Sequence, residues 1–149
     1  MSKRVLVSSV IGVAVVGAVA AGGFAVAFAG TQPTVESGSA AYVAPSGKDA
    51  GKVSYTADVS DDSGVREVRI IAWPVSTKLN PTATDLQFVD TATCSPTSDE
   101  TAHCTYDLKV TRQRAARLEQ GTWQVSVLAT AEDGDTKFVP RAATFEVTR

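Results

Sequence analysis

Residues 52–60 read KVSYTADVS, a stretch in which apolar and polar side chains alternate position by position. The apolar positions are Val53, Tyr55, Ala57 and Val59. Successive side chains of a β-strand point to opposite faces of its sheet, so a period of two predicts a strand with one buried face.

The same alternation returns along the chain, interrupted by turn residues about every ten positions. It is found in VREVRIIAWP at 65–74, AHCTYDLKV at 102–110, TWQVSVLATA at 122–131 and FVPRAATFEVTR at 138–149. LQFVDTATC at 86–94 predicts a further strand, and AAYVAP at 40–45 suits an edge strand because such strands tolerate proline. About seven short strands predict an all-β, antiparallel sandwich of the immunoglobulin or fibronectin type III kind.

One segment breaks the β pattern. TRQRAARLEQG at 111–121 is rich in helix-forming residues, Thr111 suits an N-cap, and Gly121 suits a left-handed stop. We therefore expect one short helix over residues 112–118.

The first 29 residues carry Lys3 and Arg4 and then a long apolar run without charge. Small residues at Ala27 and Ala29 predict a signal peptide that is cleaved before Gly30. The run is also long enough to cross a bilayer, so a retained N-terminal membrane anchor is the alternative. We expect residues 30–41 to be a flexible linker, because they are rich in Ser, Gly and Pro, and residues 42–149 to form the sandwich.

The exported part carries a modest negative charge. Without Lys3 and Arg4, 12 basic and 16 acidic side chains remain, a net charge of −4. Nucleic acid and anionic membrane surfaces recruit basic patches, so neither is an expected partner. Some 120 residues suffice for one domain.

Cys94 and Cys104 are the only two cysteines. In an exported protein such a pair predicts a disulfide, and this one closes a short loop. A metal site built from Cys94, His103 and Cys104 lacks a fourth soft ligand, and adjacent strand residues face opposite ways.

Three segments carry a resemblance to known proteins. ADVSDDSGVREVRI at 57–70 resembles the second strand, acidic turn and third strand of bacterial immunoglobulin-like domains, and GTWQVSVLATAEDGDTKF at 121–138 resembles their sixth strand and next hairpin. LEQGTW at 118–123 is similar to their tyrosine-corner segment, with Trp123 in the place of the usual tyrosine. Nearly the whole chain resembles a family of small exported actinobacterial proteins of unknown function, which implies the fold but no activity.

The acidic turns after the second and sixth strands are expected at one end of such a sandwich. Their carboxylates are potential calcium ligands: Asp58, Asp61, Asp62, Glu132, Asp133 and Asp135. The spacing lacks the glycine and glutamate positions of an EF-hand, and Asp and Gly are also ordinary turn formers. The formation of turns is sufficient to explain these acidic residues. Calcium binding is the alternative, and calcium is the one cofactor that the sequence suggests.

Two further kinds of site remain to be considered from the sequence, a catalytic site and an apolar surface patch. His103 is the only histidine and is predicted on the solvent-exposed face, and no nucleophile elbow occurs, so we expect a protein that is not an enzyme.

Ile71, Trp73 and Leu128 point away from the predicted core and form a potential surface patch for a protein or for a sugar stacked on Trp73. The alternative is that the 112–118 helix or the 75–85 loop covers them.

The sequence thus predicts a secreted, non-enzymatic immunoglobulin-like module with a binding or structural role at the cell envelope or outside the cell. Its expected partner is an unidentified protein or a cell-wall polysaccharide. A carbohydrate-binding module using Trp73 and a calcium-dependent adhesion or stability domain are the alternatives.

Overall fold

A computed structural model describes residues 31–149. The predicted signal peptide or anchor at 1–29 lies outside the described residues. Within 31–149, no helix combines the length and apolar character that a bilayer crossing requires.

Seven strands and one α-helix follow one another along the described chain. The strands are β1 Thr34–Val43, β2 Gly51–Ser60, β3 Val65–Pro74, β4 Thr93–Pro96, β5 Thr101–Val110, β6 Gly121–Ala131 and β7 Thr136–Val147. The helix α1 covers Arg112–Arg117, between β5 and β6. Two 3₁₀ turns, Val75–Thr77 and Asp85–Phe88, lie between β3 and β4.

All strand pairs are antiparallel and form two sheets, ordered β1-β2-β5-β4 and β3-β6-β7. This is the strand order of the seven-stranded immunoglobulin fold. The prediction of an all-β sandwich with about seven strands and one short helix is confirmed.

The alternating positions meet between the sheets as the sequence predicts. On β2, the four apolar positions of residues 52–60 are all buried. They join side chains of both sheets in one core, among them Val68, Ile70, Val127 and Phe145. The core therefore follows directly from the period of two in each strand.

The prediction of a flexible linker at 30–41 is wrong, because β1 begins at Thr34 and pairs along its length with β2. The pairing register shifts between Glu36 and Ser39, where Ser37 has a φ of 56°. This bulge reverses the phase of the alternation within β1. A bulged strand of small residues carries no continuous period of two, which is why the pattern did not reveal it.

The predicted strand at 86–94 is only partly correct. Residues 85–88 form a 3₁₀ turn, in which the Asp85 carboxylate accepts hydrogen bonds from the Thr82 N–H and hydroxyl, both at 2.8 Å. The chain then bonds along the free edge of β3 through Asp90 and Ala92 before it crosses to the other sheet as β4.

The helix is confirmed, and Thr111 caps it by accepting a hydrogen bond from the Arg114 N–H at 3.2 Å. It ends at Arg117, and Leu118 is already extended. Gly121 has a φ of 113° but opens β6 instead of terminating the helix. The predicted role of Gly121 as a helix stop is wrong.

The corner that leads into β6 uses an indole in place of a phenol. The Trp123 Nε1–H donates to the Glu119 carbonyl oxygen at 2.8 Å, and the ring stacks on Phe145 with centroids 6.0 Å apart. Tyrosine corners hold this turn through a hydroxyl bonded to the backbone a few residues upstream. Trp123 makes the equivalent bond through nitrogen.

Candidate functional site

The expected surface patch on the outer face of the β3-β6-β7 sheet is covered. Trp73 is only 6 % exposed and Leu128 only 5 %, and Ile71 is half-buried. Residues 75–89 include the two 3₁₀ turns, and we call them the covering segment. The turns lie against this face, and Leu86 in the second turn is completely buried. The covering segment, and not α1, therefore forms a second small apolar layer.

Trp73 is held in this layer by polar contacts as well. Its Nε1–H donates to the Ser126 hydroxyl at 3.0 Å, and that hydroxyl donates to the Pro140 carbonyl oxygen at 2.8 Å. A ring buried on both faces offers nothing for a sugar to stack on. The assignment of Ile71, Trp73 and Leu128 to a binding surface is therefore wrong.

Cys94 and Cys104 lie directly opposite each other on β4 and β5 and form a disulfide with an S–S distance of 2.09 Å. Both sulfurs belong to the core side of their sheet, so the bridge fastens the short edge strand β4 to β5. The predicted disulfide is confirmed, and a metal site at these thiols is excluded by it.

His103 and Asp58 form a pair on the solvent face of the β1-β2-β5-β4 sheet, with Nδ1 and Oδ1 2.8 Å apart. Ser95 faces His103 across the β4–β5 ladder, so an Asp-His-Ser row crosses three strands. No hydrogen bond joins Ser95 to His103 among the described residues. Strand N–H groups point along the sheet into its ladders, so the backbone of these strands supplies no oxyanion donors to this face.

An apolar recess of about 290 Å³ opens between the sheets beside β3 and β5. Its walls are mainly core side chains, and its polar rim consists of Asp90, Tyr106 and Arg114. The Tyr106 hydroxyl donates to the Asp90 carboxylate at 2.9 Å. Arg114 donates instead to the Lys109 carbonyl oxygen at 3.1 Å.

The turns β2–β3 and β6–β7 meet at one end of the sandwich, as predicted. One carboxylate oxygen of each of Asp61, Asp62 and Asp133 lies within 4.8 Å of the other two. We call this group the acidic cluster. Asp58 is not part of it, because its carboxylate pairs with His103.

Asp135 and Glu132 also lie outside the acidic cluster. The Asp135 N–H donates to Asp133 Oδ1 at 3.0 Å, which shapes the turn. Glu132 is engaged by Arg66, whose Nη2 donates to the Glu132 carbonyl oxygen at 2.6 Å and whose Nε lies 3.7 Å from its carboxylate. Of the six potential calcium ligands predicted from the sequence, the structure brings together three.

Asp61 is the buried member of the acidic cluster, with an exposed fraction of 5 %. Its Oδ1 accepts hydrogen bonds from the Ser63 N–H at 2.9 Å and the Ser63 hydroxyl at 2.6 Å. Burial acts to raise the pKa of Asp61, but the bonds from Ser63 outweigh burial and the pKa lies below its ordinary value. The group is therefore a carboxylate at neutral pH.

The opposite end of the sandwich is basic, a feature that the sequence analysis missed. Three adjoining surface depressions there are lined by side chains from the β1–β2 turn, the end of β5 and α1. One of the depressions includes the exposed Arg149. The other two are lined by five exposed basic side chains, and we call these five the basic end: Lys48, Lys109, Arg112, Arg114 and Arg117. Arg112 also donates to the Gly47 carbonyl oxygen, which ties α1 to the β1–β2 turn.

The acidic cluster and the basic end are separated by the length of β2, which begins beside the basic end at Gly51 and ends at Ser60. Ten residues of strand span about 30 Å. This distance exceeds the Debye length of roughly 8 Å at physiological ionic strength, so the two ends act as independent charged surfaces.

The fold and these surfaces define a disulfide-stapled antiparallel β-sandwich with oppositely charged ends. Residues 35–129 match a family of unknown function, DUF5707, and the chain belongs to that family. The matched region begins within β1 and ends within β6, so it includes the strand that the sequence analysis assigned to a linker. No curated protein matches this chain.

Proposed function

We propose that this protein is an exported, non-enzymatic module that binds an anionic polymer of the cell envelope through its basic end. The observation that carries the proposal is that Lys48 of the β1–β2 turn and four basic residues of the stretch 109–117 lie together, exposed, at one end of the sandwich. Asp49 is the one acidic side chain among the residues lining these depressions. Clustered Lys and Arg side chains attract polyanions over distances of about a Debye length.

Export is supported by two features of the chain. The leader at 1–29 has a basic start, an apolar run and small residues before Gly30. The disulfide between Cys94 and Cys104 suits an oxidising compartment. The resemblance of the sequence to small exported actinobacterial proteins adds to this inference.

The basic end is also accessible in either form of the leader. Thr34 pairs with Ser60, so the chain enters the sandwich at the end that carries the acidic cluster. The basic end lies at the far end of β2, where a partner can reach it whether the leader is cleaved or retained.

Fractionation of cells that express the full chain tests export. We expect oxidised protein in the medium with Gly30 as its first residue, or full-length protein in the membrane fraction if the leader is an anchor. Cytoplasmic protein with two free thiols would contradict the proposal.

Binding is tested by sedimentation of the exported protein with purified cell walls that retain their anionic polymers. The double substitution Lys109→Glu with Arg112→Glu suits the fold, because residue 109 faces Lys52 across the ladder and residue 112 opens α1. We expect roughly a tenfold loss of affinity, about 1.4 kcal/mol. We also expect release of the wild-type protein by salt.

The matched control is Lys137→Glu with Arg141→Glu, two exposed basic residues on β7. It makes the same change in net charge and should bind like the wild-type protein. Equal loss in both double variants, or none in either, would refute the assignment to the basic end.

A further inference from the structure

The acidic cluster is built on two turns that are fixed to each other by hydrogen bonds. The Glu132 N–H donates to the Gly64 carbonyl oxygen at 3.0 Å, and the Asp133 N–H donates to the Ser63 hydroxyl at 3.1 Å. Ser63 in turn donates to Asp61, so one hydroxyl links the backbone of one turn to the carboxylate of the other. The closeness of the three carboxylates therefore follows from the backbone.

A second observation concerns the buried carboxylate alone. Whereas both hydrogen bonds from Ser63 go to Oδ1, Asp61 Oδ2 is buried and has no hydrogen-bond partner among the described residues. A buried polar oxygen without a partner costs free energy because it has been removed from water, and native proteins rarely leave one so. A bound cation would satisfy it.

We propose that the acidic cluster binds a divalent cation of the calcium type, with Asp61, Asp62 and Asp133 as protein ligands. All three ligands are hard carboxylate oxygens, and two of them are exposed, which leaves room for water and backbone carbonyls to complete a shell of six to eight oxygens. Magnesium demands a stricter octahedron and keeps most of its water, and zinc prefers nitrogen and sulfur ligands. The cation holds the β2–β3 and β6–β7 turns together.

The affinity follows from this partly open arrangement. Three carboxylates with a water-completed shell resemble the weaker calcium sites of extracellular modules, with a Kd of about 10⁻⁴–10⁻³ M. At about 10 mM calcium, roughly 10 to 100 times the Kd, binding to the folded state alone raises the Tm by about 4–16 °C. This inference does not depend on the proposed polyanion binding, because the two surfaces lie at opposite ends.

The test is calorimetric titration and thermal unfolding of the exported, oxidised protein after chelator treatment. Calcium chloride is compared with magnesium chloride and with sodium chloride of equal ionic strength. We expect heat of binding and a raised Tm with calcium alone. No effect of calcium, or an equal effect of magnesium, would overturn the assignment.

Single substitutions test whether calcium binds to the three proposed ligands or only responds to the negative charge of this end of the sandwich. Asp62→Asn and Asp133→Asn alter exposed side chains, and we expect each to weaken calcium binding at least tenfold while the chelated protein stays as stable as the wild type. Asp61→Asn can still accept the bonds from Ser63 and should abolish binding. The control Asp58→Asn removes one charge on the same chain segment, outside the cluster, and should bind calcium like the wild type. An equal response of Asp58→Asn and the cluster variants would refute the site.

Discussion

Two tyrosine hydroxyls sit in surroundings that oppose their ionisation. Burial raises the pKa of Tyr55, which is almost completely enclosed, to about 12. The pKa of Tyr106 is also raised to about 12, first by burial and then by its hydrogen bond to Asp90 and the negative charge of that carboxylate, while Arg114 acts to lower it. Both residues therefore favour the neutral form in the folded protein.

This predicts a specific loss of stability in alkali. Phenols of the unfolded chain lose their protons near the ordinary pKa of 10.0, whereas these two stay neutral in the folded chain to about 12. Their contribution to stability is fully present below pH 10 and is lost as the pH rises through about 12. We expect phenolate absorbance of two tyrosines to appear together with loss of the far-ultraviolet β signal.

Tyr55→Phe serves as the control for that titration. The Tyr55 hydroxyl is buried without a hydrogen-bond partner in the described part of the chain, so its removal should leave the protein at pH 7 as stable as before, or more stable. Two phenolates that form near pH 10 with the sheets intact would contradict the assignment of both residues.

Alternation in the sequence predicted which side chains point inward, but not which side chains form specific hydrogen bonds. The inward positions of β2, β5 and β6 followed from alternation, because burial on one face is a property of the local sequence. The indole bond of Trp123 to Glu119 could not be predicted, since it depends on the path of the corner. Likewise, the meeting of Asp61 and Asp133 depends on hydrogen bonds between the two turns, one of them through Ser63, which the sequence does not show.

The covering segment is an element that alternation does not reveal. Its residues 75–89 lack a strand or helix period, yet Leu86 is fully buried against the outer face of β3 and β6. The outward apolar residues of those strands therefore left two interpretations open, an exposed patch or a face covered by the 112–118 helix or the 75–85 loop, and the structure shows that the loop covers it. A sheet that is covered on both faces needs apolar residues on both, and Trp73 and Leu128 are the signal that could have revealed it.

We predict that Leu86→Ala destabilises the protein by roughly 2–5 kcal/mol, the usual cost of emptying a buried leucine site. The matched control is Leu79→Ala in the same segment, where the side chain is 54 % exposed and the change should cost less than about 0.5 kcal/mol. Midpoints of denaturant unfolding measure both. Similar midpoints for the two variants would show that the covering segment does not bury an apolar layer.

The chain as a whole carries a small net charge, although its positive and negative side chains are strongly separated between the two ends of the sandwich. The net charge of −4 of the predicted exported part argued against a polyanionic partner, but a total says nothing of where charges lie. The β1–β2 turn, which carries Lys48, is far in sequence from the end of β5 and α1 and becomes their neighbour only in the folded sandwich. For that reason, the basic end could not be predicted from the amino-acid composition.

Both proposals depend on two charged surfaces that act separately at the ends of one rigid sandwich. The most direct measurement is a map of backbone amide chemical shifts of the oxidised protein, titrated first with calcium chloride and then with inorganic polyphosphate. Calcium should shift amides of residues 61–64 and 132–135, and polyphosphate those of residues 47–49 and 109–117. Shifts from both ligands at the same residues, or shifts spread through the core strands, would contradict the account.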